Sequence, residues 1–116
     1  MSERRSVDPI AMARAEAQAA LESGDPHVIA ETIVSIAFHD PDAAWVEQTC
    51  RQMASHDDAN VRCLAMTCLG HVARIHHHLD AESLALLQRL IDDPVVGGYA
   101  QNALGDVEMF INRGRN

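Results

Sequence analysis

The chain has 116 residues, enough for one domain that buries roughly two-thirds of the surface its unfolded form exposes. A hydrophobic share of 47% with one Trp, one Tyr and two Phe points to an aliphatic, Ala-rich core of packed helices and away from strands. Against 9 basic residues stand 17 acidic ones, a formal charge of -8 that opposes nucleic-acid binding, where Lys and Arg must neutralise phosphates, and favours a basic protein partner.

Residues 1–7 are polar, charged and without period, and read as a disordered arm. No apolar stretch follows Arg4 and Arg5, and no run approaches membrane-spanning length, so neither a secretion signal nor a membrane span is expected and the protein reads as cytoplasmic. Asp8-Pro9 then supplies an N-cap and a first-turn Pro for a helix with a thin apolar face (Ala13, Ala17, Ala20, Leu21), stopped at Gly24. Asp25-Pro26 repeats the signal for a second helix reaching Phe38, with Val28, Ile29, Ile33, Ile36 and Ala37 inward. Asp40-Pro41 opens a third, in which Trp45, Val46, Thr49, Cys50 and Met53 recur every three or four residues. Trp45 reads as a packing anchor.

The fourth helix, about 59–77, carries the longest stripe: Val61, Leu64, Ala65, Cys68, Leu69, Val72 and Ile75. Gly70 sits inside it, where Gly costs about 1 kcal/mol relative to Ala, so a close helix crossing is expected there. Leu79-Asp80 begins a fifth helix with Leu84, Leu87, Leu90 and Ile91 inward. Asp93-Pro94 begins a sixth, whose Gly97-Gly98 suggests a tight approach or a loose turn.

These elements repeat. Asp57, Asp58, Val61, Ala65, Leu69, Gly70 and Val72 reappear as Asp92, Asp93, Val96, Ala100, Leu104, Gly105 and Val107, and a weaker copy runs through Asp25, Val28, Ile36 and Ala37, a period of 33 to 35 residues. Helical material with that period is the signature of an α-solenoid, whose units bury their apolar faces only by stacking. The expectation is an all-α chain of about six helices in three hairpins (about 8–39, 40–78 and 79–113), forming one domain over 8–113.

The middle copy, Asp58, Val61, Arg62, Ala65, Leu69 and Gly70, resembles the second helix of HEAT repeats, and Asp93-Pro94 with Val96 fits again. The resemblance implies that the second helices line a concave binding face. The repeat alignment stacks Glu31, Val34 and Phe38 beside Leu64, Thr67 and His71, and these beside Tyr99, Asn102 and Asp106, with Arg74 and Met109 extending the outer rows. Candidate partner-binding residues are Glu31, Phe38, His71, Arg74, Asn102, Asp106 and Glu108; Phe38 and Met109 also fit a core role.

Catalytic and metal signals are weak. Three successive His, His76 to His78, point about 100° apart on a helix and cannot converge on one ion, so together with His71 and Asp80 they read first as a solvated helix end and second as a contact patch. Cys50, Cys63 and Cys68 have no paired spacing and read as free thiols. No HExxH, phosphate-cradling Gly-rich loop or nucleophile elbow occurs, so neither enzyme nor cofactor is expected. The reading is a non-catalytic protein-binding module. Small acidic α-solenoids look like some immunity proteins that neutralise a bacterial toxin; an adaptor in a larger complex is the alternative, and a HEAT-like lyase a more distant one.

Overall fold

The computed structural model describes residues 13–113. The arm and the Asp8-Pro9 start signal lie outside that range. Six α-helices follow one another: α1 (Arg14–Leu21), α2 (Pro26–His39), α3 (Ala43–Met53), α4 (Ala59–His76), α5 (Ala81–Arg89) and α6 (Gly97–Val107), the last running into a π-helical turn at Glu108–Asn112. There is no strand among the described residues, so the all-α expectation holds.

Aspartates set the starts. Asp25 accepts from the His27 amide at 3.0 Å, and Asp58 accepts from Asn60 and Val61 at 2.8 and 3.1 Å, satisfying first-turn donors that the helix itself leaves unpaired. For α3 the cap is Asp42, accepting from Trp45, while Asp40 only orients the Asp42 amide, so this helix starts later than Asp40-Pro41 suggested. Asp93 likewise accepts from Val95 and Val96, but residues 94–96 form a turn before α6 begins. Gly24, at φ +80°, closes the α1–α2 connection in the left-handed region that a Cβ disfavours. His77 closes α4 in the same region, at φ 56°, and its ring hydrogen-bonds the Phe110 carbonyl at 2.9 Å. It therefore ties the end of α4 to the end of α6, and is more than a solvated residue.

Each odd-numbered helix packs against the even-numbered helix after it, and α4 packs on both α2 and α6. The even helices run parallel. The Cys68 thiol of α4 reaches the Ile33 carbonyl of α2 and His71 meets Phe38, while Cys63 reaches the Val95 carbonyl and His77 reaches Phe110, so equal depths along the three helices coincide. The result is a slab of 47 × 36 × 18 Å, two helices thick. Its centre is α4, which buries Val61, Ala65, Met66, Cys68, Leu69, Gly70, Val72 and Ala73, more of its circumference than a single stripe; Ile75, expected inside, is 41% exposed. Ile29, Ile33, Ile36, Leu69 and Leu87 are fully buried, each contributing about 1.5–3 kcal/mol by leaving water.

Small residues fix the α4–α6 distance. A Cβ built on Gly70 would stand 3.2 Å from the Ala103 Cα and 2.5 Å from the Asp106 carboxylate, so the expected close crossing is there. A Cβ on Gly97 would meet the Ile91 carbonyl oxygen at 2.6 Å, another tight approach. Gly105, the repeat partner of Gly70, has open space around it, because among the described residues no helix packs on that side of α6.

One buried charge is absent from any apolar pattern. Glu47 of α3 is 1% exposed and accepts from the Ser83 hydroxyl at 2.6 Å and the Asp80 amide at 2.9 Å, with Arg51 at 3.8 Å. Arg51 also donates to Ser83 at 2.8 Å and pairs with Glu82 at 3.2 Å. This network joins α3 to the start of α5, two helices that otherwise touch lightly.

Two stability predictions follow from this packing. Gly70→Leu should overpack the α4–α6 crossing and destabilise by about 1–3 kcal/mol, whereas Gly105→Ala should stabilise by up to about 1 kcal/mol; equal melting temperatures for the two variants would contradict the assigned crossing. Glu47→Ala, leaving Arg51, Ser83 and the Asp80 amide without their acceptor, should cost about 3–5 kcal/mol in chemical denaturation. A loss below about 1 kcal/mol would mean water replaces the carboxylate there.

Candidate functional site

The sides of α2, α4 and α6 that face away from the odd helices form one continuous surface. Its flanking rows are exposed at Glu31, Phe38, Tyr99 and Asn102, while the middle row, Leu64, Thr67 and His71, is half-buried. The flanks are the more exposed rows and the centre the more covered one, with α4 along the middle of the strip, hereafter the groove. No helix of the described residues is long and apolar enough to cross a membrane.

The groove's centre is a cluster of named contacts. The Phe38 and His71 rings lie 4.5 Å apart, centroid to centroid, at 36°. Arg74, one turn along α4, directs Nη1 toward His71 Nδ1 at 3.5 Å, which assigns the imidazole's own proton to Nε2. The Arg74 guanidinium also sits 5.9 Å over the Phe110 ring. Asp106 enters from α6 beside Gly70, close enough to act electrostatically on His71. The missing side chain at Gly70 leaves room for that carboxylate.

The structure thus brings Phe38, His71, Arg74 and Asp106 together. Phe38 is 44% exposed, so it belongs to the groove and not the core, and Met109 is 55% exposed. Glu31 lies farther along α2, paired with His27 at 3.4 Å, and Asn102 stands one turn before Asp106 on the same flank. Glu108 does not join. Two residues beyond Asp106 it is turned about 200° around the helix, where it accepts from Asn112 at 3.1 Å and pairs with Arg113 at 3.9 Å. Sequence reasoning missed Phe110, whose one signal was its helical spacing from Asp106.

Charge is distributed unequally between fold and surface. Arg14 pairs with Asp42 at 3.0 Å and covers the Trp45 ring at 3.9 Å; Arg62 donates to the His56 and Asp57 carbonyls; Arg51 and Arg113 are engaged as described. With these arginines drawn into internal contacts, the surplus carboxylates dominate what a partner meets.

Two other places gather polar or apolar side chains. Glu47, His78 and Asp80 bring potential ligand atoms within 4.8 Å of one another, but Glu47 already accepts two hydrogen bonds and Arg51 supplies the local positive charge. On the other layer, Leu21, Trp45 and Met53 with Gln18, Gln48 and Gln52 line a cleft of about 450 Å³ between α1 and α3, which presents no titratable cluster. Cys50 and Cys68 are buried free thiols, and the hydrogen bond with the neighbouring Cys68, together with burial, pushes Cys50 well above the usual thiol range, away from the reactive thiolate.

No family model and no curated protein matches the chain, so the HEAT resemblance rests on its residue pattern. A solved structure does match. One chain of the crystal structure of a CDI complex from Cupriavidus taiwanensis LMG 19424 is similar with a TM-score of 0.80 and 34% identity, over 95% of this chain and 97% of that one.

His71 offers a direct check on the groove. Burial and the adjacent Arg74 lower its pKa below the ordinary 6.5, with Asp106 acting in the opposite sense. A histidine with a lowered folded pKa contributes stability that is complete above the unfolded value and lost as pH falls toward the folded value. Unfolding free energy should therefore decline on acidification from about 6.5 downward, and His71→Gln should remove that part of the slope. A ring titration by NMR with its midpoint at or above 6.5 would contradict the placement of His71.

Proposed function

Because this chain belongs to the same family as the matched component of the CDI (contact-dependent inhibition) complex, we propose that it is an immunity protein, a non-catalytic inhibitor that neutralises a cognate toxin by binding it. The observation that carries the reading is the similarity to a member of such a complex over nearly the whole of both chains. The groove supports it with Phe38 and Tyr99 as exposed anchors and a rim of mixed polarity, the anatomy of a protein interface. We read the three helical pairs as a short HEAT-like array, supported by the parallel stacking of α2, α4 and α6.

On this reading inhibition is steric and electrostatic. The acidic surface attracts a basic toxin, the aromatic residues of the groove then leave water on contact, and the covered toxin surface can no longer reach its substrate. Attraction between opposite charges raises the association rate and is screened within about 8 Å at physiological salt, while the desolvated contacts set the dissociation rate.

The test is co-expression with the toxin domain encoded beside this protein in its own genome, scored by growth and by purification as a complex. Growth should be restored, and association measured by stopped flow should slow steeply with added salt while affinity falls less. Phe38→Ala and Asp106→Lys should each weaken binding by about tenfold or more, and Glu108→Lys should change it little, since Glu108 points away from the groove. A neighbouring product that is harmless alone, or a toxin whose effect this chain leaves unchanged, would refute the immunity reading.

A further inference from the structure

Asp106 is a carboxylate that reaches into the centre of the groove, and among the described residues it makes no hydrogen bond or ion pair. It is partly buried, held against α4 by the absence of a side chain at Gly70, and within electrostatic reach of His71, whose ring is tilted against that of Phe38. From this geometry we infer that the groove is a receptor for a guanidinium, the side chain of an arginine on the partner protein, paired with Asp106 and stacked on the Phe38–His71 rings. The inference rests on the reading of this face as the partner's landing site and deepens it.

Three features converge on that ligand. A partly desolvated carboxylate without an internal partner gains most from a cation that can return its lost hydrogen bonds, and a guanidinium does so with parallel N–H donors. The aromatic pair offers a flat face, which a guanidinium can cover while keeping its in-plane donors free for a carboxylate; an ammonium cannot do both. Arg14 already adopts that arrangement elsewhere in this chain, 3.9 Å over Trp45 while pairing with Asp42 at 3.0 Å. The groove is also preset for it, because a neutral His71 adds a ring face without adding a repelling charge. Among the described residues the cation nearby is Arg74, which is occupied with His71 Nδ1 and the Phe110 ring.

The probe is N-acetyl-arginine amide, titrated into the isotopically labelled protein and followed by NMR, with N-acetyl-citrulline amide as a neutral isostere and N-acetyl-lysine amide as a cation without a planar fork. Arginine amide should give saturable shifts at Phe38, His71 and Asp106, with citrulline and lysine amides at least about fivefold weaker. Asp106→Asn, nearly isosteric and expected to keep the folded spectrum, should reduce arginine amide to the level of citrulline, and Phe38→Leu should narrow the margin between arginine and lysine. Absence of shifts at those residues, equal binding of citrulline or lysine, or full binding by Asp106→Asn would each overturn the inference. Because the probe needs no toxin, a failure here beside intact growth protection would move the contact elsewhere and leave the immunity reading standing. Specific arginine binding by a chain that protects against nothing would have the opposite meaning.

Discussion

The crossing of α4 and α6 at Gly70 is the constraint on which the rest depends. With no Cβ there, the backbone of α6 comes close enough that Ala103 fills the contact, and α6 is drawn toward the central helix. Asp106, one turn beyond Ala103, is thereby carried onto the open face of α4 beside His71. A bulkier residue at this one position would spread the helices, and the groove would lose both its depth and its carboxylate. Packing and recognition share the same contact, so the position is governed by two requirements at once.

The two layers are joined by different physics. Among the even helices the contacts are apolar and close, between Ile33, Cys68, Leu69, Ala100 and Ala103. The link from α3 to α5 instead runs through a buried carboxylate with Ser83, Arg51 and the Asp80 amide around it. Removing Glu47 from water is costly, and the hydrogen bonds and the guanidinium offset that cost only in one geometry. Such an arrangement adds little net stability but fixes how the third helical pair sits on the second. Thr32 and Thr49, also buried, meet their needs locally by donating to the Val28 and Trp45 carbonyls.

The surface chemistry follows from where the arginines go. Arginines held against carbonyls, carboxylates and aromatic rings are fixed in place, and a chain of formal charge -8 carries a field that reaches well beyond its contacts. Specificity requires something shorter in range. The ring pair, a half-buried histidine kept neutral by its surroundings and a carboxylate held at fixed depth supply it, on helices that do not depend on loops for their position.

The sequence by itself determined the helical class, the order of the six elements, the capping roles of Asp25 and Asp58 and the identity of Gly70 as a crossing point, because each of these is written in local signals: apolar spacing, an Asp before a first turn, a Gly where a helix former is expected. It also placed Phe38, His71, Arg74 and Asp106 on one face, since the repeat period fixes which positions of successive helices align. The tertiary structure alone decided what periodicity cannot carry. Glu47 is polar at an inward position and shows itself only when Ser83 and the Asp80 amide close around it. Ile75 belongs to the apolar stripe yet lies outside, and Gly105 repeats Gly70 yet faces open space, because burial depends on a neighbouring helix that the spacing within one helix does not reveal. Glu108 was expected on the same face as Asp106, but side chains two positions apart on a helix point to nearly opposite sides, and His77 acquired its role from a left-handed backbone and a carbonyl 33 positions away that no local pattern announces.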